Sequence, residues 1–250
     1  MGVTVFYVTR IAHQVVRKIS ETKLKMRDMP LIPIWLDWSG KIVLVIGLGQ
    51  TGQRRSILFQ QSGATVIGID PLPKINGPAW GELIRGGLEL RSEPYSVDLF
   101  DELESMAMRP DLVLACATET INSRVIQDAR ARGFWVASVT TGSSPSPNAH
   151  LGGVVKGETT SFAIHSGNAS PALTVCLKGI VESDLLPAAD RMAKLAATLR
   201  PLIMKHLSDP EQRRSLLETL GDRDIFDLEA KTPGAGMEKW EKVVRAALES

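Results

Sequence analysis

A chain of 250 residues with 44% hydrophobic and 23% charged residues is long enough to bury a sizeable core and exceeds the usual size of one domain. Lysine and arginine number 29 against 28 acidic residues, a balance that argues against nucleic acid as the main partner. Cys116 and Cys176 belong to no CxxC pair, and apolar runs such as Ile42 to Ile46 fall far short of a membrane span. The expectation is a globular, soluble, cytoplasmic chain with no nucleic-acid partner, no membrane span and both cysteines buried as small apolar residues.

Residues 1–29 mix a weakly amphipathic pattern with six basic side chains and lack the apolar core of a secretory signal. A basic surface helix, a disordered extension, and a start placed too early, with Met26 or Met29 as the true start, all stand as readings. From Lys41 the pattern turns regular. Short β-branched runs bounded by glycine alternate with stretches of helical period, the mark of βαβ units around a parallel sheet. Strands are predicted at 41–46, 64–69, 87–91, 111–116 and 134–139, and helices at 50–62, 78–85, 97–107 and 120–132. Gly142 to Pro147 breaks the rhythm and leads out of the sheet. Gly152 to Lys156 and Thr160 to His165 then read as a hairpin. The rest has helical period, at 172–183, 187–205, 210–219, 222–230 and 237–249, with Pro171, Pro187 and Pro210 placed where helices can begin.

Gly47-Leu48-Gly49-Gln50-Thr51-Gly52 follows the first strand and opens a helix, the context that a bare GxGxxG lacks. The first glycine permits the tight turn, the second lets the backbone approach a pyrophosphate, and the third lets helix and strand pack closely. The pyrophosphate would rest on the exposed N–H groups at the positive end of the helix dipole. Asp70, 18 residues after Gly52 at the end of the second strand, is placed to accept hydrogen bonds from the adenosine ribose, which favours NAD over NADP. The simpler alternative is a tight strand-to-helix turn in a Rossmann-like protein that binds something else. Arg54 and Arg55 read as solvated surface charges or as contacts to an anionic substrate.

Three further stretches carry a resemblance: Leu31 to Leu36 before Ser39-Gly40-Lys41, the glycine loop followed by Arg54-Arg55, and Ser166-Gly167-Asn168-Ala169-Ser170-Pro171 before a helix. In this order they resemble the precorrin-2 dehydrogenase / sirohydrochlorin ferrochelatase family, which includes the N-terminal part of siroheme synthase. The likeness runs from about Leu31 to Leu202, and no uroporphyrinogen methyltransferase domain is expected to follow. The resemblance implies a homodimer that exchanges its central strands and helix. It implies NAD in a Rossmann domain and a cleft that takes precorrin-2, yields sirohydrochlorin and, in many members, accepts ferrous iron for insertion. Arg54, Arg55, Arg124, Lys156, Ser166 and Asn168 are the corresponding candidates for a substrate bearing several carboxylates.

The expected organisation is α/β. Residues 1–29 form an extension, 30–147 an NAD-binding Rossmann domain with a parallel sheet, 148–183 a small strand-containing dimerisation region, and 184–250 a helical C-terminal region. The chain departs from the family pattern at two places. The family's catalytic aspartate follows the fifth strand, in a stretch resembling Asn-Val-Val-Asp, where this chain has Ala137-Ser138-Val139-Thr140. A threonine hydroxyl can orient a group or relay a proton, but it does not replace a carboxylate as base near neutral pH. After the fourth strand, Ala117-Thr118-Glu119-Thr120-Ile121-Asn122 stands for the family's Ala-Thr-Asp-Asp, with Thr118 and Asn122 either lining the cofactor or capping a helix.

His165 is the candidate to take over part of the acid–base work beside Thr140 and Ser166, since imidazole titrates near neutral pH and can ligate iron. His13, His150 and His206 share no metal-binding spacing and read as structural. The leading expectation is an NAD-dependent precorrin-2 dehydrogenase, with iron insertion as a second activity. The alternatives are a non-catalytic tetrapyrrole- and NAD-binding protein, and a chelatase that does not oxidise.

Overall fold

The computed structural model describes residues 31–74, 76–140, 146–166 and 170–249. The chain divides into two units, residues 1–34 and 35–250. Residues 31–34, the described part of the first unit, form neither helix nor strand. The expected extension at 1–29 lies outside the described residues.

In the second unit, β1 (Ile42–Ile46), β2 (Thr65–Ile69), β3 (Glu89–Arg91), β4 (Leu112–Ala115) and β5 (Trp135–Ser138) form one sheet in the order β3-β2-β1-β4-β5. Every pairing is parallel, and the β1 register sets Val43 between Val66 and Leu112. The βαβ alternation read from the sequence is therefore present, as five strands of a Rossmann-type sheet. Its central strands are buried on both faces, which is why they read as unbroken apolar runs instead of alternating ones. Leu44 and Ile46 of β1 enter one core layer, and Val43 and Val45 the other.

Helices α3 (Leu99–Ser105) and α4 (Glu119–Ala131) close the first layer through Leu99, Phe100, Leu103, Val125, Ile126 and Ala129. The second layer is covered by α1 (Gln50–Gln60), whose Phe59 packs edge-on against Trp38 at 4.8 Å, with α2 (Pro78–Arg85) beside it. Over the β4–β5 half of that face lies an extended segment instead of a helix. Asn148 hooks onto β5, its Oδ1 accepting from the Val136 N–H at 2.7 Å and its Nδ2 donating to the Phe134 carbonyl at 3.0 Å. Ala149 N–H donates to the Val136 carbonyl at 3.0 Å, and Ala149 and Leu151 pack on the layer.

The expected hairpin is β6 (Gly153–Lys156) paired antiparallel with β7 (Ser161–Ile164). Its turn closes with a Gly157 N–H bond to the Thr160 carbonyl at 2.8 Å. Asp190 clamps that turn, its carboxylate accepting from the N–H groups of Glu158, Thr159 and Thr160 at 2.8, 3.1 and 2.7 Å and from both threonine hydroxyls. Any side chain at Gly157 would collide with this carboxylate, since its Cβ would stand 2.0 Å from Asp190 Oδ2.

The helices after Pro171 differ from the sequence expectation at one joint. Two helices separated at Pro187 are predicted, yet α5 (Pro171–Ile180) runs through a π-helical segment, Val181–Leu185, into α6 (Leu186–His206). Pro187 has no N–H to give to this helical run, and the widened π segment just before it is a form in which helices accommodate such interruptions. The expected boundary at 183/184 therefore falls inside a helical run. α6, α7 (Pro210–Glu218), α8 (Arg223–Lys231) and α9 (Ala235–Glu249) enclose a separate small core around Trp240, Ile203 and Val244. Glu229, with its side chain fully buried, ties these helices together. Its carboxylate meets the Arg191 guanidinium and accepts from the N–H groups of Gly234 at 2.9 Å and Met237 at 3.2 Å.

α5 is apolar in composition yet has no buried residue, and Cys176 within it is exposed. The expectation of two buried cysteines is corrected on that account: Cys176 is exposed and Cys116 only partly buried. Among the described residues, no helix is long and apolar enough to cross a membrane.

Candidate functional site

The order of the sheet reverses between β1 and β4, and ligands of doubly wound folds bind at the carboxyl ends of strands beside such a reversal. The glycine loop stands there. Gly47 adopts φ +94° and donates its N–H to the Ile69 carbonyl at 2.8 Å. A Cβ on it would meet the Cys116 carbonyl and the Ala117 nitrogen at 2.7 Å. Gly52 is closed in as tightly, with 2.0 Å between its Cβ position and the Gly47 carbonyl oxygen. Gly49, at the N-cap of α1, faces nothing within 4 Å. The three glycines thus divide into two that the protein's own packing requires and one whose open side is turned outward.

Around this loop the backbone is held by side chains. Asp70 Oδ2 accepts from the Leu48 N–H at 2.7 Å, and its Oδ1 from the Leu72 N–H at 2.9 Å. Gln53, buried in α1, donates its amide to the carbonyls of Leu48 at 2.8 Å and Lys74 at 3.1 Å. Leu48 itself is fully buried against Gly68 of β2, where a Cβ would stand 2.8 Å from its Cδ1. Sequence reasoning missed Gln53 and Gly68. A glutamine one residue past the motif and a glycine inside a strand were the signals available, and neither is distinctive by itself.

The residues fit a dinucleotide. Gly49, Gln50 and Thr51 begin α1 with no side-chain cap, so its first N–H groups are offered to an anion at the positive end of the dipole. Asp70 is committed to the loop through one contact on each oxygen, and a carboxylate has further acceptor capacity for a ribose hydroxyl.

On the other side of the reversal, Thr118 caps α4, its Oγ1 accepting from the Ile121 N–H at 3.5 Å while the residue stays exposed. Asn122 is fully buried. Its Oδ1 accepts from the Ala117 N–H at 2.9 Å, and its Nδ2 donates to the Ala117 carbonyl at 3.1 Å and to Thr140 Oγ1 at 3.4 Å. Asn122 thus shapes the loop after β4 and reaches Thr140. Thr140 Oγ1 also shares a hydrogen bond with Ser138 Oγ at 2.9 Å, and its N–H donates to Ser138 Oγ at 3.1 Å. Asn122, Ser138 and Thr140 form one polar cluster at the ends of β4 and β5.

The two neighbouring arginines separate. Arg54 is exposed, whereas Arg55 is half-buried, and its Nη1 is sealed from solvent without a hydrogen-bond acceptor among the described residues. It lies beside Cys116, whose thiol is pushed up by burial and drawn back by the guanidinium. A buried guanidinium nitrogen lacking an acceptor is costly, and an anion would relieve it. Arg124 is exposed on α4, in the field of the hydrogen-bonded Tyr95 and Asp128, and Lys156 is exposed at the end of β6.

Ser166 is built into the start of α5. Its hydroxyl donates to the Ser170 carbonyl at 3.0 Å and accepts from Thr174 Oγ1 at 2.8 Å, while Ser170 caps the helix at the Leu173 N–H. His165, just before it, meets His150 with ring centres 5.7 Å apart. That contact has no signal in linear spacing, because the hairpin brings the two rings together. Asn168, His13 and most of the Gly142 to Pro147 connection lie outside the described residues. His206 lies in the last turn of α6.

Residues 34–147 match a family model described as "Putative NAD(P)-binding". The chain is 26% identical over 205 residues to siroheme synthase 2 of Serratia proteamaculans, covering 78% of this chain and 40% of that one. It is 30% identical over 192 residues to siroheme synthase 1 of Halorhodospira halophila, covering 76% and 38%. To a "Putative precorrin-2 dehydrogenase" of Methanocaldococcus jannaschii it is 23% identical over 220 residues, covering 84% and 98%. The chain thus spans about two fifths of the length of the siroheme synthases it matches. Among solved structures, "SirC, precorrin-2 dehydrogenase" aligns with a TM-score of 0.61 at 17% identity, over 86% of this chain and 100% of that one, which establishes the fold. The ordered motifs, the parallel sheet and these relatives agree: over an NAD(P)-binding domain at residues 34–147, the chain is similar to precorrin-2 dehydrogenases and to part of the siroheme synthases.

Proposed function

We propose that the chain oxidises precorrin-2 to sirohydrochlorin in siroheme biosynthesis, with NAD as its cofactor. The observation that carries this reading is the outward-facing Gly49 at the uncapped start of α1, in a chain similar along most of its length to a protein named for that activity. Bound NAD+ supplies the hydride acceptor. The N–H groups after Gly49 hold the pyrophosphate, and Asp70 both fixes the loop and takes the ribose hydroxyl. Half-buried Arg55 and exposed Arg54, Lys156 and Arg124 supply positive charge for the substrate carboxylates. Thr140, held by Ser138 and Asn122, orients the reacting group. His165 takes the proton that leaves the substrate, since the threonine hydroxyl is too weak a base. In the same reading ferrous iron is the substrate of a later insertion step, and Ser166, at the start of α5, contributes a contact to the substrate.

The assembly belongs to the proposal. Leu173, Val175 and Ile180 of α5 are 47%, 69% and 47% exposed, a run of apolar side chains that a second copy of the chain would cover. Light scattering that returned a monomer at micromolar concentration would remove the dimer from this account. The activity is tested by anaerobic incubation of the purified protein with precorrin-2 and NAD+. NADH and the sirohydrochlorin spectrum should appear together, and the absence of both would overturn the reading.

A further inference from the structure

His150 and His165 lie on opposite sides of the β6–β7 hairpin in sequence, and neither is carried on a loose loop. His150 follows Ala149, which is bonded to Val136 of β5, and Asn148 before it is hooked to the same strand by both amide atoms. His165 follows Ile164, which is in register with Gly153 across the hairpin. The Ile164 carbonyl oxygen lies only 2.6 Å from where a Cβ on Gly152 would stand, so the backbone there is closely fitted. Two strand-anchored backbones therefore present two exposed imidazoles to each other, with ring centres 5.7 Å apart and planes at 80°.

That separation has a chemical meaning. Nitrogen–metal bonds of about 2.0–2.1 Å place each ring centre about 3.2 Å from a shared ion, so two imidazoles at a tetrahedral angle have centres about 5.2 Å apart. The observed 5.7 Å lies close to this and is reached by opening the angle slightly. Among the described residues no group of three or more His, Cys, Asp and Glu side chains is disposed to hold a metal ion. An ion held here by the two rings would keep water in its other positions and exchange readily, as suits an ion in transit more than a structural one.

We propose that His150 and His165 together bind one exchangeable divalent transition-metal ion of the ferrous, cobaltous or nickel class, through one ring nitrogen each. Use of this position to load metal for insertion into a tetrapyrrole rests on the function proposed above. The binding itself does not.

The test is titration of the full chain, free of NAD and tetrapyrrole, with Ni2+ by calorimetry and with Co2+ by visible absorption near neutral pH. One ion should bind per chain with micromolar affinity. His150→Ala and His165→Ala should each weaken binding at least by the roughly tenfold that even outer-shell losses cost, while His206→Ala, at the end of α6, leaves it unchanged. In NMR spectra of the native protein, Ni2+ should broaden the ring signals of His150 and His165 before those of His206. Absence of saturable binding, equal affinity in the His150 and His165 variants, or broadening centred on other histidines would each overturn the proposal. Because no substrate or cofactor is present, failure of the dehydrogenase reading cannot produce these results.

Discussion

The Asp70 carboxylate accepts a hydrogen bond from the Leu48 N–H at 2.7 Å, so the acidic residue that marks the ribose position also holds the glycine loop in shape. Cofactor recognition and loop geometry share one side chain. A second contact, from the Leu72 N–H at 2.9 Å, fixes the carboxylate plane. Replacing Asp70 by Asn leaves a single carbonyl acceptor to serve both N–H groups and removes the charge-assisted bond to a ribose hydroxyl. Asp70→Asn should raise the Kd for NAD by about tenfold, or about 1.4 kcal/mol, with little change in secondary structure. Calorimetric titration checks this, and an unchanged Kd would remove Asp70 from the cofactor site.

The glycines of the loop should separate in their effects. Gly52→Ala forces a Cβ to 2.0 Å from the Gly47 carbonyl oxygen, an overlap that only backbone movement relieves, and should destabilise the domain by about 2 kcal/mol or more. Gly49→Ala places a methyl in open space on an ordinary backbone conformation and should leave the melting temperature nearly unchanged while weakening NAD binding at least about tenfold. Thermal melts paired with NAD titrations distinguish the two. Equal loss of stability in both variants would contradict the assignment of Gly49 to the ligand.

Thr140 receives the Asn122 amide and shares a hydrogen bond with Ser138, so the position is already furnished with hydrogen-bonding groups. An aspartate there would find those donors waiting. Thr140→Asp should raise the rate of precorrin-2 oxidation and add an acid limb to its pH profile, because a carboxylate acts as base only above its pKa. Thr140→Val, which removes one of the two acceptors of the buried Asn122 amide, should lower the rate about tenfold and cost roughly 1 kcal/mol of stability. Initial rates across pH measure both effects. A Thr140→Val enzyme with the native rate would show that the hydroxyl has no part in the chemistry.

Asp190 is held below the ordinary carboxylate range, first by the Thr160 hydroxyl and, against the opposing effect of desolvation, by the N–H groups of Glu158, Thr160 and Thr159 in the hairpin turn. A folded-state pKa lower than the unfolded one means stability that is fully present above the unfolded value, near 4, and lost as pH falls towards the folded value. Asp190→Asn should therefore melt a few degrees lower than the native protein at neutral pH. The gap should narrow progressively below about pH 4. A gap that stayed constant from neutral pH into acid would mean that the charge of Asp190 does not stabilise the turn.

Much of the fold was legible before any coordinates because a parallel sheet writes itself as short apolar runs. Ile42 to Ile46 and Leu112 to Ala115 carry the pattern of strands covered on both faces, and the glycine loop between β1 and α1 identifies itself by spacing. The joint at Pro187 was not legible. Proline reads as a helix start, and only the π segment before it reveals a helical run that passes through. Asn122 was equally ambiguous. A cap, a cofactor contact and a buried hook all suit an asparagine early in a helix, and the structure shows its buried amide bonded to Ala117 and Thr140.

What the sequence determined by itself was local: strand and helix order, the glycine loop, the acidic residue one strand later, and the threonine where the family has an aspartate. Each depends on the backbone demands of a few neighbouring residues, which residue type and spacing record directly. What only the tertiary structure decided was which distant side chains meet. The Asp190 clamp on the hairpin turn, the approach of Arg55 to Cys116, the Asn122–Thr140–Ser138 cluster and the neighbouring rings of His150 and His165 all join residues far apart in the chain. Such contacts follow from strand order and from which face of each element is buried, and no periodicity along the chain encodes them.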